Sequence, residues 1–359
     1  MNNKFSPYND LKVLRWSSRL KMVQREEIPD PVMITYDMSN ACNLRCKWCF
    51  NQEYIRNRET LLQDPLKHLR GILNHPRARR VRAIEFTGGG EPLANPETTA
   101  AMHLARSFGK KTCLVTNGTL LTPKICEDVV ETCDFVRISL DASKPETYKK
   151  LKGGNDGDFE HVIKMVDELV QARCGRELPV IGLAFLVNPW NLHEIPDAAE
   201  LASAAGVDYI NFRPLFTNYP IIKEQLGYDS NKFVTEKKDE INHLIKIAKR
   251  IANGDIKIYH STTRYGLGYR PPMCKVTPLN PVVQADGNVC VCCERRGDES
   301  LYLGSLYEDN FWDLWGTKIH RNILKTLYTA NCPQKCKLNG YNEIYDRCFE
   351  SGEMGWDFV

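Results

Sequence analysis

The sequence predicts an α/β protein built around a parallel sheet. Six short apolar segments alternate with stretches that carry the apolar period of helices. The apolar segments show little polar alternation, which is typical of strands buried on both faces of a parallel sheet. The pattern by itself fits an open doubly wound sheet and a barrel equally well.

The elements follow one another as repeated strand–helix units. The first strand is predicted at 32–38, where β-branched and aromatic residues follow Pro31. The other strands are predicted at 81–86, 112–116, 135–140, 179–187 and 209–212. Helices are predicted between them and after the last one, at 61–75, 96–108, 122–132, 158–173, 194–205 and 234–252.

Polar and glycine residues follow the predicted strands directly. In parallel α/β architectures the functional groups gather at the carboxyl ends of the strands. We therefore expect a functional site at that edge of the sheet. The segments and residues concerned are the cysteine-rich stretch 42–49, the glycine run 88–92, Asn117, Asp141, Asn188 and Arg213.

Composition narrows the class of protein. The chain has 359 residues, enough for one large domain and a smaller one, with 42% hydrophobic and 26% charged residues as in soluble proteins. The net charge of +3 gives no basic field for nucleic acid. Apolar runs long enough for a membrane span or a signal peptide are absent from the sequence, so we expect a cytoplasmic protein without a membrane partner.

The sequence predicts three regions. Residues 1–30 are irregular and basic and form an N-terminal extension, and residues 31–255 contain the strand–helix units. Residues 256–359 change in composition, with many turn residues and half of the cysteines. We expect them to form a smaller, cysteine-rich domain.

Fourteen cysteines are many for a reducing compartment, where clustered cysteines are more often metal ligands than disulfides. Cys42, Cys46 and Cys49 lie within eight residues, and Trp48 and Phe50 could shield a metal centre there from water. Three thiolates leave one iron of a four-iron cluster open for chemistry. A zinc knuckle or three unrelated thiols are the alternatives. The isolated Cys113, Cys126, Cys133 and Cys174 are predicted to be buried apolar residues.

The 42–49 segment resembles the signature of the radical S-adenosylmethionine (SAM) enzymes. The resemblance implies a [4Fe-4S] cluster on the three cysteines, with SAM chelating the fourth iron. It also implies that one electron cleaves SAM to a 5′-deoxyadenosyl radical, which abstracts hydrogen from a substrate. The implied fold is a partial (β/α)6 barrel, and the implied partners are a small-molecule substrate and a reducing protein such as flavodoxin or ferredoxin.

Gly88, Gly89, Gly90 and Glu91 resemble the GGE motif of this family, which implies a hydrogen bond to the amino group of SAM. Glycines expose backbone groups to a ligand. A plain turn is the alternative, and the dinucleotide-binding G-x-G-x-x-G pattern is not satisfied because Pro92 and Leu93 follow.

Four further residues at strand ends are candidates for SAM binding. The resemblance implies that Ser139 and Asp141 contact the ribose, with a buried serine and a helix cap as alternatives. Asn117 is predicted to contact adenosine or the reacting centre, or to form a turn with Gly118. Arg213 is predicted to pair with the SAM carboxylate, or to form a structural salt bridge.

The C-terminal cysteines form a second candidate metal site. They resemble the SPASM/twitch extensions that bind auxiliary clusters, although the C-x2-C-x5-C-x3-C run of a full SPASM domain is missing. We therefore expect one auxiliary [4Fe-4S] cluster on Cys274, Cys292, Cys332 and Cys336, with Cys348 as an alternative ligand. A tetrahedral zinc site is the competing interpretation. Cys290 and Cys293 are further ligands, inert thiols or hydrogen-atom donors to a substrate radical.

Together these features predict a radical SAM enzyme that acts on a sugar, an aminocyclitol or a nucleoside-like metabolite. Oxidation, epimerisation, deoxygenation and decarboxylation all stay open. Peptide or protein maturation is the alternative within the class, and the first 30 residues leave little room for a leader-peptide-binding module. A non-catalytic iron–sulfur or zinc protein is the alternative from another class.

Overall fold

The computed structural model describes residues 8–49, 60–215, 226–260, 269–332 and 336–350, and these form one mixed sheet surrounded by helices. The sheet has ten strands in the described residues, in the order β10-β9-β8-β1-β2-β3-β4-β5-β6-β7. They are β1 Met33–Asp37, β2 Ala83–Thr87, β3 Lys111–Thr116, β4 Phe135–Ser139, β5 Val180–Val187, β6 Tyr209–Pro214, β7 Lys257–His260, β8 Val282–Val283, β9 Asn288–Cys290 and β10 Tyr302–Ser305.

Strands β1 to β7 are parallel, and each pairs with the next in the sequence. The six predicted strands are all present, with ends that agree to within about two residues. The parallel sheet is therefore confirmed. Because β7 and β10 stand at opposite ends of the strand order, the sheet is open rather than closed.

The helices flank the parallel strands. The described residues contain several helices besides the six predicted, among them Pro145–Lys152. The predicted 61–75 helix begins later, at Pro65, where proline fits the first turn, and the predicted 234–252 helix is divided into Ser230–Glu236 and Lys238–Ala252. The α-helices are Ser17–Gln24, Pro65–Asn74, Thr98–Ser107, Pro123–Thr132, Pro145–Lys152, Asp158–Arg173, Ile195–Ala204, Ser230–Glu236, Lys238–Ala252, Phe311–Leu314, Lys318–Thr326 and Asn339–Tyr345. Shorter 3₁₀ turns lie between them, and a π turn covers Asp346–Glu350.

Burial differs between the two faces of the sheet. In β2, β3 and β4 every second residue is buried, and the residues between them are mostly partly exposed. The expectation that strands are buried on both faces therefore fails for these three strands, because only the helix-covered face is fully packed. The other face borders an interior space that we call the lumen.

Aromatic rings close the lumen at the amino end of β6. The Tyr8 hydroxyl donates a hydrogen bond to the Tyr209 hydroxyl at 3.1 Å, and both rings contact Tyr259. The Tyr209 ring lies across Gly182 of β5, where a Cβ atom would stand 2.0 Å from the ring. Glycine at this position therefore leaves room for the ring that forms the floor of the lumen.

The C-terminal segment extends the same sheet. Strand β8 pairs in parallel with β1, and β9 and β10 follow as an antiparallel meander. A second link is the buried ion pair of Arg296 and Asp37, with Nε–Oδ2 at 2.5 Å and Nη2–Oδ1 at 3.1 Å. The sheet thus crosses the boundary expected at 255, and the division into regions 1–30, 31–255 and 256–359 stays a prediction.

Removing one partner of this ion pair tests how much the pair contributes to the stability of the fold. The Arg296 and Asp37 side chains are 6% and 0% exposed, so Arg296→Met leaves a buried carboxylate without its counter-charge. We expect the free energy of unfolding to fall by about 3–5 kcal/mol, measured by anaerobic urea denaturation. Arg347→Met is the control, since Arg347 is 73% exposed in its pair with Glu343 and should cost under about 1 kcal/mol. Equal stability of the two variants would contradict a structural role for the pair.

Candidate active site

The cysteine loop follows β1 and is fixed by its backbone. The Arg45 amide donates to the Lys152 carbonyl at 2.8 Å, and the Lys47 amide donates to the Leu151 carbonyl at 3.1 Å. Between the cysteines, Leu44 and Trp48 are buried, whereas Cys42, Cys46 and Cys49 stay partly exposed. The loop therefore presents its three thiols from an anchored backbone. Phe50, predicted to shield this centre, lies outside the described residues.

A buried ion pair lies beneath this loop. The Lys152 ammonium is 2.8 Å from Asp141 Oδ2 and donates to the Ser139 carbonyl at 2.8 Å, and both charged side chains are almost fully buried. Although Cys46 is partly exposed as a residue, desolvation of its thiol raises the pKa to about 12, and the Lys152 charge lowers it. Because iron binds the thiolate, ligation at Cys46 has to displace this proton.

The glycine run packs directly against the cysteine loop. The Gly90 amide donates to the Ser39 carbonyl at 2.9 Å, and the Glu91 amide donates to the Ala41 carbonyl at 2.8 Å. A Cβ atom on Gly90 would stand 2.2 Å from the Ala41 carbonyl oxygen, so glycine is needed for this approach. Contact of Gly88, Gly89 and Gly90 with SAM stays a prediction.

The Glu91 carboxylate is buried and connects β2 to β3. It accepts from the Thr116 hydroxyl at 2.6 Å, the Asn117 amide at 2.8 Å and the Leu93 amide at 3.2 Å. Burial raises the pKa of Glu91, and the three hydrogen bonds lower it. The contact of Glu91 with SAM stays a prediction. In the structure its carboxylate accepts hydrogen bonds from Thr116 and Asn117 and so holds the loop at the end of β3.

Asn117 connects β3 to the cysteine loop. Its Nδ2 donates to Asn43 Oδ1 at 3.0 Å and lies 4.0 Å from Cys42 Sγ, while its Oδ1 accepts from the Thr119 amide at 2.9 Å. The residue thus helps to fix the first cysteine. A further contact with adenosine stays a prediction.

Ser139 and Asp141 both bind protein groups. Ser139 accepts through its carbonyl from Lys152, and Asp141 Oδ1 accepts from the Leu186 amide at 2.9 Å. Asp141 has the left-handed backbone angle φ 63° and is buried. Its two oxygens thus join β5 and Lys152 to the end of β4. The implied ribose contacts of Ser139 and Asp141 stay predictions.

Arg213 and Asn211 lie on β6 and face the lumen. The Arg213 Nε atom is buried and has no hydrogen-bond partner among the described residues. Burial acts to raise the pKa of Glu294, but Lys337, Arg296 and Arg213, in that order, lower it by more. Asn211 is fully buried, and in the described part of the chain neither of its side-chain amide atoms has a hydrogen-bond partner. Asn211 was not predicted, although a lone amide within Tyr-Ile-Asn-Phe is an available signal. The SAM-carboxylate contact of Arg213 stays a prediction.

The structure brings the four predicted auxiliary ligands together around one cavity. Cys274, Cys292, Cys332 and Cys336 all line it. Three of the sulfurs lie near N–H donors: Asn342 Nδ2 is 3.3 Å from Cys274, and the Glu294 and Leu338 amides are 3.4 Å from Cys292 and Cys336. Hydrogen bonds to sulfur are typical of cluster surroundings. The residues therefore fit a four-cysteine metal site, and their ligation of a cluster stays a prediction.

The remaining C-terminal thiols do not line this cavity. Cys290 is buried, with its Sγ 3.4 Å from the Cys292 carbonyl oxygen, and Cys293 is buried near the charges of Lys337 and Glu294. Cys348 is exposed. The roles of Cys290 and Cys293 as hydrogen donors, and of Cys348 as a ligand, stay predictions.

The isolated cysteines only partly match the expectation of burial. Cys126 and Cys133 are buried as predicted, whereas Cys174 is exposed and Cys113 is partly exposed. Cys174 ends the Asp158–Arg173 helix, and Cys113 lies on the lumen face of β3.

Fold and site together define an α/β protein with an anchored three-cysteine loop at the carboxyl end of its first strand. Residues 36–202 match the Radical SAM superfamily model, and this part of the chain belongs to that superfamily. The predicted family is thereby confirmed. None of the helices in the described residues is long and apolar enough to cross a membrane.

Several characterised proteins are similar in sequence. The mycofactocin maturase MftC of Mycobacterium tuberculosis is 24% identical over 329 residues, covering 89% of this chain and 77% of its own. The dTDP-4-amino-4,6-dideoxy-D-glucose ammonia-lyase of Streptomyces venezuelae is 22% identical over 284 residues, covering 75% and 56%. The chain spans about half to two-thirds of the length of the first relatives that it matches.

Solved structures share the fold. Streptococcus suis SuiB superposes with a TM-score of 0.62 at 16% identity, covering 90% of this chain and 75% of its own. Native anSMEcpe, solved with AdoMet and a peptide, has a TM-score of 0.60 at 18% identity, covering 90% and 96%. The predicted partial (β/α)6 barrel with a smaller cysteine-rich, SPASM/twitch-like C-terminal domain is confirmed. The superfamily match supports the predicted cofactors, SAM and [4Fe-4S] clusters, whereas the number of clusters and their ligands stay predictions.

Removing the charge of Lys152 and removing that of Asp141 should shift the reduction potential of the first cluster in opposite directions. A positive charge near a cluster favours its reduced form, and a negative charge disfavours it. We expect Lys152→Met to lower the reduction potential of the Cys42/Cys46/Cys49 cluster and Asp141→Asn to raise it, each by roughly 60 mV, a tenfold change for one electron. Redox titration followed by electron paramagnetic resonance measures both. Shifts of the same sign in the two variants would contradict the electrostatic explanation.

Proposed function

We propose that this protein is a radical SAM enzyme that acts on a small polar substrate held in the lumen. The observation that carries the proposal is the polar lining between the two cysteine sets. Glu85, Arg137, Asn211 and Arg213 lie on the lumen face of β2, β4 and β6. A site with several charged and amide groups suits a ligand rich in hydroxyl, amino or carboxylate groups.

The residues divide into three tasks. Cys42, Cys46 and Cys49 would hold the first cluster, and Cys274, Cys292, Cys332 and Cys336 the auxiliary one. When bound, these clusters supply the electron that cleaves SAM to a 5′-deoxyadenosyl radical and an acceptor for an electron from the substrate. Glu91, Asn117 and Gly90 fix the cysteine loop, and the aromatic floor at Tyr209 excludes water from the lumen.

Net oxidation of the substrate is the reaction we favour. Four cysteines around the auxiliary cavity would complete the coordination of a four-iron cluster and leave no iron open to a substrate. A cluster of that kind suits electron transfer. The electron for SAM cleavage would come from a reducing partner such as flavodoxin or ferredoxin.

Peptide maturation is the second candidate. It is favoured by the similarity to the mycofactocin maturase, which extends over 89% of this chain.

The decisive experiment measures SAM cleavage and hydrogen transfer. Anaerobically purified, dithionite-reduced protein should convert SAM to 5′-deoxyadenosine, and mass spectrometry should detect deuterium from a deuterated sugar or aminocyclitol in that product. A variant with alanine at Cys42, Cys46 and Cys49 is the control and should yield none. Deuterium from synthetic peptides alone would favour the second candidate. A colourless, zinc-containing protein that leaves SAM intact would contradict both candidate functions.

Metal counts test the auxiliary ligands separately. Wild-type protein should hold about eight irons, and the Cys42/Cys46/Cys49 triple alanine variant about four. Alanine at Cys274 and Cys292 should also leave about four irons, now on the first loop. Alanine at Cys348 should leave the count unchanged, since this residue lies outside the cavity. Loss of iron on changing Cys348 would show that the ligand set is different.

A further inference from the structure

The lumen carries a group of polar side chains that share one face of the sheet. Arg137 of β4 is in register with Gly182 of β5, which is in register with Tyr209 of β6. Asn211 and Arg213 lie two and four residues further along the same face of β6. Two guanidinium groups and one amide therefore share this face, with Arg137 at the level of the aromatic floor and Asn211 and Arg213 further towards the carboxyl ends of the strands.

These groups have polar atoms without partners. Asn211 is 0% exposed, and both its Nδ2 and its Oδ1 lack a hydrogen bond in the described residues. The Nε atoms of Arg137 and Arg213 are buried and lack one as well. Folded proteins rarely leave buried polar atoms unpaired, and four such atoms on one face of the sheet point to a bound polar molecule.

The charges at the lumen are not balanced. Arg296 pairs with Asp37, and Lys337 pairs with Glu294 at 3.0 Å. Among the described residues Arg137 and Arg213 form no ion pair, and Glu85 accepts from the Thr35 hydroxyl at 3.0 Å. Apart from these pairs, the lumen face of the described strands carries two guanidinium groups, Arg137 and Arg213, and one carboxylate, Glu85, and this excess of one positive charge favours an anionic ligand.

The donor set defines the class of ligand. A guanidinium group matches a carboxylate, and the amide of Asn211 needs a group that both donates and accepts, such as a hydroxyl. We propose that the lumen binds a small hydroxylated organic acid, its carboxylate on Arg137 and Arg213 and a hydroxyl on Asn211. This deepens the proposed function, because the acid would be the substrate class of the enzyme.

SAM also carries a carboxylate, so the assignment of Arg213 needs a test that separates the two ligands. Gluconate and glucitol are suitable probes, since they differ only in a carboxylate against a hydroxymethyl group. Calorimetric titration of the anaerobic, cluster-loaded and SAM-bound protein measures both. We expect gluconate to bind wild-type protein at least tenfold more tightly than glucitol.

Variants locate the contacts. Arg213→Gln and Arg137→Gln should each reduce the preference for gluconate to about threefold or less, and Asn211→Leu should weaken both probes. If the Arg213→Gln variant loses its clusters, Arg213→Lys takes its place. The lysine keeps the positive charge, so this variant should retain part of the preference for gluconate. Arg347→Gln removes an exposed arginine and should keep the full preference.

Two results would overturn the inference. One is equal binding of gluconate and glucitol by the wild-type protein. The other is a tenfold loss of SAM affinity in Arg213→Gln with the gluconate preference intact, which would assign Arg213 to SAM. Neither measurement requires turnover, so failure of SAM cleavage would contradict the proposed function and leave this binding result standing.

Discussion

The buried ion pair between Arg296 and Asp37 is the interaction on which the arrangement of the two cysteine sets depends. Asp37 ends β1 shortly before Cys42, and Arg296 follows shortly after Cys292. Each of these buried charges is stabilised by the other. Separating the two segments would therefore leave a buried charge without its counter-charge, which is strongly destabilising. Together with the pairing of β8 to β1, this contact joins the segment that carries Cys292 to the strand that precedes the first loop.

The first loop is framed from three strands in the same way. Gly90 brings the end of β2 against its backbone, and Asn117 reaches it from β3. The Lys152 carbonyl, in the helix after β4, accepts a hydrogen bond from the Arg45 amide of the loop. Each of these contacts is a hydrogen bond or a close backbone approach, and the buried Trp48 adds apolar packing against Leu151. A loop held by directional bonds keeps its thiols in a fixed geometry, which metal ligation requires.

How much could be predicted from the sequence follows from the range of the interactions involved. Strands β1 to β6 are long apolar runs followed by polar residues, so a local pattern reveals them. Strands β8 and β9 have two and three residues and owe their existence to pairing with a distant segment. Cysteine spacing indicated Cys42, Cys46 and Cys49 as candidate ligands because these three residues lie on one loop. Lys152, Asn211 and Arg296 were missed, since an isolated lysine, asparagine or arginine reveals neither its burial nor its partner.

Within the described residues, the charges near the cysteine sets are paired, whereas the guanidinium groups on the lumen face are not. Near the first loop, Lys152 is matched by Asp141, and near the second set Arg296 and Lys337 are matched by Asp37 and Glu294. Paired charges of this kind leave a metal site close to neutral before the cluster arrives. On the lumen face, by contrast, the guanidinium groups form no ion pair in the described part of the chain, and Asn211 is buried with both amide atoms unbonded. Buried polar atoms without partners cost folding free energy unless a ligand supplies the missing hydrogen bonds. The lumen face, where the described residues leave the most polar atoms unpaired, is therefore the part of the site that suits a ligand.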